Sequence, residues 1–364
     1  MQIKKYCMAT ISSHIIVKNE IDNLPLLVND LRQFSDEIII VDTGSTDGTV
    51  EWLIDNEDDV FKLYEFEWVN HFAKARNFAL SKVTKEWTFW CDADDRISEN
   101  LINKINELKP ELNTSDFKVV SVLYRYTPTF TQYRNRLFKM SSNPKWECVC
   151  HECISCDDMI SVITLDDSCS INHTRDHGNP ERNIAIYEKY MSEGNVLNTR
   201  EKLCYAREID AQDRTEEALR IAEEVLFAPD ASEILVWDAI NVIMSKKWLS
   251  SPEMSNIGIS IINRYEELRF LRADVYFLRS CLYGNIGDIP RMIKDCYNAI
   301  NTVITGVLTY NETPEHSKIL PAITIYNNIV DPLTRKVMLS IIEEYKDHEI
   351  VKNFYSSLEE NNIN

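Results

Sequence analysis

The chain has 364 residues, 44% of them hydrophobic, and a formal net charge of -19. That length suits two domains, or one large one, with a sizeable core. The charge argues against broad electrostatic binding to nucleic acid or to an anionic membrane, because both would be repelled. No apolar run is long enough to span a bilayer. Met1 to Thr10 carries two lysines but no apolar core followed by a small-residue cleavage site, so no secretory signal is read. The ten cysteines are therefore expected as reduced thiols in a cytoplasmic setting.

His14-Ile15-Ile16-Val17 reads as a first strand running into Lys18-Asn19-Glu20. Leu24, Leu27, Val28 and Leu31 recur at helical spacing behind Asn23 and Pro25, which suit a helix start. The β-branched run from Asp36 to Val41 predicts a buried second strand ending at Asp42. Gly44 and Gly48, among small polar residues, mark a tight turn into a helix with Val50, Leu53 and Ile54 inward. Strand, helix, strand, turn, helix begins a doubly wound parallel sheet. Asp42 stands at the carboxyl end of its strand, where an acid often accepts hydrogen bonds from a ribose or base. The structural alternative is that Asp42 or Asp47 caps a helix. Val60 to Tyr64 predicts a third strand, and Asn70 to Asn77 opens a helix with Phe72, Ala75, Ala79 and Leu80 inward. Arg76 on that helix offers a planar fork to a diphosphate, or else pairs with Glu67 or another acid.

Trp87-Thr88-Phe89-Trp90 is an apolar strand that ends abruptly in Asp92, Asp94 and Asp95. Carboxylates packed this tightly repel one another unless a cation or a donor shares the site. Mg²⁺ or Mn²⁺ commonly bridges such a carboxylate to a substrate phosphate, and a solvated acidic turn is the alternative. Glu99 to Leu112 is a polar helix. Phe117 to Tyr124 and Tyr133 to Lys139 are further strands. Cys148, Cys150, His151, Cys153 and Cys156 then fall within nine residues. Thiolate and imidazole are what zinc selects, but the spacing is poor for two separated ligand pairs, so free thiols are the favoured reading. Val162 to Leu165 is a short strand leading to the segment that holds His173 and His177.

Four motifs stand in order: Ile16-Val17-Lys18-Asn19-Glu20, Val41 to Thr49, Phe72-Ala73-Lys74-Ala75-Arg76-Asn77 and Asp92-Ala93-Asp94-Asp95. Together they resemble the inverting glycosyltransferases of family 2, which have the GT-A fold. Within them the chain is most similar to the branch that includes the peptide S-glycosyltransferase of sublancin-type glycocins. The resemblance covers roughly the first half of the chain. It implies an α/β catalytic domain over 1–180: a Rossmann-like GT-A domain whose mostly parallel central sheet is flanked by helices. It implies that Asp42 binds the base of a nucleotide sugar, with Lys18 and Glu20 in the donor-binding set. It brings Arg76 to base or diphosphate and Asp92 to ribose or sugar and, with Asp94, to the metal. It gives Asp94 the divalent metal, Mn²⁺ or Mg²⁺. Asp95 stands where Glu is often found.

Arg136-Leu137-Phe138, Trp146 and His151-Glu152 resemble a further block of the family. An inverting transfer is a single displacement in which a carboxylate takes the acceptor's proton. The resemblance makes Glu152 the general base, with His151 as substitute or as its orienting partner. The alternative is a helix-start acid beside a core imidazole. His173 matches the histidine that completes the metal site, and His177 is the other choice. Arg175 and Arg182 match diphosphate contacts on a mobile segment, or are plain surface charges.

From Arg182 the chain reads as helix after helix. Leu203 to Ala222 forms a hairpin turning at Asp213-Arg214, and looser pairs follow through Met292, with a helical cap from Ile319 to Leu358. The pattern resembles degenerate tetratricopeptide repeats over 181–364, which bind a peptide or partner, form a homodimer surface, or buttress the catalytic domain. The expected reaction moves a sugar from a nucleotide diphosphate donor, UDP-linked in the favoured reading. The acceptor is a peptide side chain, a glycan or a nucleobase. A binding scaffold built on a dead transferase domain is the competing class.

Overall fold

A computed structural model describes residues 8–127, 131–157, 159, 161–173, 179–268, 271–302 and 318–361. Contacts divide the chain into two compact units, Met1–Val196 and Leu197–Asn364. Among the described residues no helix is long and apolar enough to cross a membrane.

Among the described residues the first unit holds eleven strands and five α-helices. The strands are β1 (Ile11–Val17), β2 (Glu37–Asp42), β3 (Phe61–Glu65), β4 (Trp87–Trp90), β5 (Asp95–Ile97), β6 (Val119–Arg125), β7 (Thr131–Lys139), β8 (Lys145–Glu147), β9 (Cys153–Ser155), β10 (Val162–Thr164) and β11 (Ser170–His173). The helices are α1 (Leu24–Leu31), α2 (Thr49–Asp55), α3 (Phe72–Leu80), α4 (Glu99–Leu112) and α5 (Pro180–Ser192). The main sheet runs β3-β2-β1-β4-β7-β6-β11-β5, with β10 also on β6. β3, β2, β1 and β4 are parallel, so the carboxyl ends of β1, β2 and β4 share one edge. β7 runs antiparallel between β4 and β6. β10 and β11 follow one another along β6, both parallel to it. β5 is antiparallel to β11. β8 and β9 form a separate hairpin.

Alternation along the strands sorts the core into two layers. Ile38 and Ile40 of β2 pack with Leu27 and Leu31 of α1 and with Leu101 and Ile105 of α4 in one cluster. Ile39 and Val41 point the other way, onto Ala79 of α3. The sheet is therefore covered on both faces, which is why its strands read as continuous apolar runs. α5, which the sequence reading places after a boundary at residue 180, belongs to the first unit. The reason is Tyr187: it is fully buried, and its hydroxyl donates to the Cys150 carbonyl at 3.1 Å.

The second unit is all helical: α6 (Thr199–Asp210), α7 (Thr215–Leu226), α8 (Glu233–Asp238), α9 (Ser245–Trp248), α10 (Pro252–Glu266), α11 (Ala273–Asn285), α12 (Ile289–Asn301), α13 (Leu320–Asn328), α14 (Pro332–Glu343) and α15 (Glu349–Asn361). A π-helical stretch, Ala239–Met244, joins α8 to α9. The α6–α7 turn is made by Asp213 at φ +60° and the α11–α12 turn by Gly287 at φ +79°. Arg279 ties three helices together. It meets Asp295 on α12 at 2.6 and 3.0 Å, and Asn263 on α10 at 2.8 Å.

Close helix approach depends on Gly258 in α10. A Cβ there would stand 2.7 Å from two ring carbons of Trp248, which is 1% exposed, and 3.0 Å from Leu282 Cδ1. The ring has no room to yield, so Gly258→Ala should cost about 1–3 kcal/mol by overpacking. Urea unfolding of the full chain checks this, and an unchanged midpoint would show that α10 can shift.

Candidate active site

The loops leaving β1 and β2 are locked together. Asn19, at φ +57°, donates its N–H to Ser45 Oγ at 2.8 Å and accepts from the Thr46 N–H at 2.7 Å. The Glu20 N–H donates to Thr49 Oγ1 at 2.9 Å, and the Glu20 carboxylate accepts from Asn23 at 2.9 Å. Lys18 is exposed. Within this frame Asp42 is 5% exposed, and its Oδ2 accepts from the N–H groups of Gly44 (2.8 Å) and Ser45 (3.0 Å). Its Oδ1 is buried without a hydrogen-bond partner. A buried carboxylate oxygen without a donor is costly, so this one has room in its hydrogen bonding for an outside donor.

The acidic turn after β4 divides its labour unexpectedly. Asp95 is fully buried and is the anchor. Its Oδ1 accepts from Tyr124 Oη at 2.7 Å, and its Oδ2 from the Asp92 N–H at 2.9 Å and from Arg136 Nη1 at 3.2 Å. Arg136, itself fully buried, lies over the rings of Trp90 (3.7 Å) and Tyr124 (4.4 Å). Burial and the Asp95 charge push the Tyr124 phenol well up, so it stays a donor. His173, at the end of β11, brings Nδ1 to 2.9 Å from Tyr124 Oη, 3.4 Å from Asp95 and 3.6 Å from Asp94. Among the described residues, Asp94, Asp95 and His173 are the one group of three whose ligand atoms all lie within 4.8 Å of one another. Hard oxygens with one imidazole suit a divalent cation such as Mn²⁺. Among the described residues Cys148, Cys150, Cys153 and Cys156 form no disulfide.

Asp92 faces elsewhere. Its Oδ1 accepts from Arg76 Nη2 at 2.5 Å, while Arg76 Nε donates to Glu152 Oε1 at 2.5 Å. Burial opposes the charge on Asp92, but Arg76, Arg136 and Arg134 outweigh it and hold the carboxyl at about 2. Arg76 is 5% exposed, with Trp146 at 4.7 Å and Trp90 at 5.3 Å from its guanidinium carbon. Trp146 is itself pinned by His14. Indole N–H can only donate, so at 3.3 Å it gives its proton to His14 Nε2, and His14 Nδ1–H then serves Thr88 Oγ1 at 2.7 Å. Burial, reinforced by Arg76, lowers His14 to about 3, which keeps it neutral.

Glu152 reaches Arg76 from a strained turn. Cys148 (φ +75°) and His151 (φ +51°) both sit in the left-handed region, which non-glycine residues enter at a cost of about 1–3 kcal/mol. The turn is held by the Phe72 N–H, which donates to the Val149 carbonyl at 2.9 Å, and by Tyr187 on Cys150. His151 ends exposed and Glu152 half-buried.

The structure thus gathers Asp42, Arg76, Asp92, Asp94, Glu152 and His173 of the sequence-expected set around one sheet edge. Arg182 is exposed, bonded to Asn183 Oδ1 at 3.0 Å, with Phe72 at 5.1 Å. Arg175 and His177 lie outside the described residues. Sequence reasoning missed the anchoring role of Asp95 and the parts of Arg136, Tyr124 and His14. One signal was available: charged groups in strands buried on both faces must be paired.

Residues 12–162 match the family model described as Glycosyl transferase family 2. The SPbeta prophage-derived glycosyltransferase SunS of Bacillus subtilis is 32% identical over 145 residues, 39% of this chain and 34% of that protein. The lipopolysaccharide core biosynthesis glycosyltransferase LpsC of Rhizobium meliloti is 34% identical over 139 residues, 35% of this chain and 49% of that protein. The chain thus spans less than half the length of these relatives. Among solved structures, S. aureus TarS in complex with UDP-GlcNAc aligns with 83% of this chain and 95% of its own at 14% identity and a TM-score of 0.42.

Two measurements test the geometry. Arg76→Ala strands two half-buried carboxylates and should cost about 3 kcal/mol in chemical unfolding. The second concerns protons. Burial, with Asp92 and Asp95 nearby, raises Asp94 to about 6 against the pull of His173. The hydrogen bond to Asp95 raises His173 despite its burial. Both folded values exceed the unfolded ones, so both groups stabilise at low pH and lose that contribution as pH rises through the folded value. With chelator present, thermal stability should fall from about pH 4 through 7 more steeply than in Asp94→Asn, since unfolded Asp titrates near about 3.9. Parallel profiles would contradict the assignment.

Proposed function

We propose, from the glycosyl transferase family 2 domain that residues 12–162 form, that this chain is a metal-dependent inverting glycosyltransferase. It would take a sugar from a nucleoside diphosphate donor, UDP-linked, and pass it to a peptide side chain. One observation carries this reading: the unpartnered buried Oδ1 of Asp42, at the end of β2, and Asp94, just past the end of β4, stand at the same edge of one sheet on either side of β1, with His173 of β11 beside Asp94. A base acceptor and a cation site at one edge are what a nucleoside diphosphate requires.

The chemistry follows from the residues. The acceptor's oxygen or sulfur lone pair attacks C1 of the sugar. The bond from C1 to the diphosphate oxygen breaks, its electrons leave with the diphosphate, and the acceptor's proton passes to Glu152. Arg76 holds Glu152 by Oε1, and among the described residues Oε2 takes no hydrogen bond. That oxygen is the base, and His151, on the exposed side of the turn, is not needed for it. Asp92, fixed by the same guanidinium, faces the donor's ribose or sugar. A divalent cation held by Asp94 and His173, above the buried Asp95, would neutralise charge on the leaving diphosphate. A peptide acceptor is supported by the net charge, which repels nucleic acid, and by helical hairpins of a kind that bind peptides.

Purified protein should hydrolyse or transfer from UDP-sugars with Mn²⁺, in a screen crossing several donors with peptide, glycan and nucleobase acceptors. Glu152→Gln should lower kcat by about 10²–10⁴-fold while UDP still binds. Asp94→Ala should abolish Mn²⁺-dependent UDP binding in calorimetry. A wild-type chain that binds no nucleoside diphosphate with Mn²⁺ would instead be a scaffold on an inactive domain.

A further inference from the structure

One arginine of the site makes no direct ion pair. Arg76 is committed to Glu152 and Asp92, and Arg136 to Asp95. Among the described residues Arg134 takes part in no salt bridge or side-chain hydrogen bond, although its charge reaches Asp92. It is nevertheless held in place. On β7 it lies opposite Val122 of β6 and two residues before Arg136, which the β-bulge leaves without a partner on β6, and both guanidiniums lie by the rings of Trp90 and Tyr124. Between them the Asn135 carbonyl accepts from the indole N–H of Trp90 at 2.8 Å, which locks the strand against the end of β4. The Arg134 guanidinium carbon lies 5.6 Å from the Tyr124 ring centroid, 5.8 Å from that of Trp90 and 5.8 Å from that of Tyr126.

Those rings place it at the reaction centre. Tyr124 bonds Asp95 and His173 directly, and Trp90 is two residues before Asp92. Ring faces attract a guanidinium but take none of its five N–H donors in ordinary hydrogen bonds. Its planar fork therefore remains available to an anion, and phosphate oxygens match that fork. A donor diphosphate would bring further negative charge into a site already rich in carboxylates, and one dication does not balance both.

We infer that Arg134 is the side chain that meets the diphosphate of the bound donor, opposite the Asp94–Asp95–His173 group. The inference rests on the proposed donor and adds a residue to it. Calorimetry with Mn²⁺ and UDP tests it on the full chain, with uridine, followed by ligand-observed NMR, as the probe that lacks phosphate. Arg134→Gln should weaken UDP at least tenfold and leave uridine unchanged, and Arg134→Lys should recover part of the loss. UDP affinity within twofold of wild type in Arg134→Gln overturns the inference, and a raised acceptor KM alongside it would move Arg134 to the acceptor side. An equal loss for uridine, or a Lys variant as weak as Gln, overturns it in favour of a structural role. A wild-type chain that binds no UDP removes the donor reading and this inference with it, whereas a wild-type chain that binds UDP confines any failure to Arg134.

Discussion

The site depends on one buried guanidinium. Arg76 joins Glu152, from a turn between two short strands, to Asp92, at the exit of a central strand, across 76 and 16 positions of sequence. Each carboxylate alone would be a poorly solvated charge, and the guanidinium alone more so. Together they are neutralised and geometrically fixed, because a planar fork admits few orientations. Two tryptophans set that plane, and one of them is oriented by a neutral histidine in the middle of β1. The chain from His14 through Trp146 and Arg76 to Glu152 transmits the rigidity of the sheet to the end of a strained turn. Such support is what keeps a carboxylate in position when its own backbone is not part of the main sheet.

A second buried pair works by the same logic for the opposite purpose. Asp95 and Arg136 are both fully buried, and Asp95 spends its oxygens on Arg136, Tyr124 and the Asp92 backbone. This fixes the turn that displays Asp94 and Asp92 in different directions. Asp92 is drawn to Arg76 and stays ionised. Asp94 faces His173 and two like charges, and holds its proton more tightly. Three acids in four residues thus avoid mutual repulsion: one is neutralised internally, one across the site, and one is left for a cation or a proton.

Much of the fold was legible because its signals are local. Strands covered on both faces show as apolar runs, and their polar exits show as Asp42 and the Asp92–Asp95 turn. The meeting of Asp94 with His173, 79 positions away, was not written in periodicity and came only through the family resemblance. What stayed hidden was tertiary. The hydrogen bonds of Asp95 come from β6 and β7, so its place in the sequence made it look like the most dispensable of the three acids. His14 is one polar residue in an apolar run, and its partner Trp146 lies 132 positions on. The domain boundary shifted for the same reason. α5 reads as the first of many helices until Tyr187 is seen gripping the turn that carries Glu152.

That grip explains why a turn containing two left-handed non-glycine residues is sustained. Val149 and Cys150 are buried beneath it, so the apolar side chains are paid for by the core while the backbone bends outward and back. The carbonyls of the same two residues are taken by α3 and α5. The result is a short loop whose polar ends diverge: His151 toward solvent and Glu152 toward Arg76. A more relaxed turn would send both outward. The strain is therefore part of how this sequence points a carboxylate at Arg76, and residues far from the acidic turn, Phe72 and Tyr187, share in holding it there.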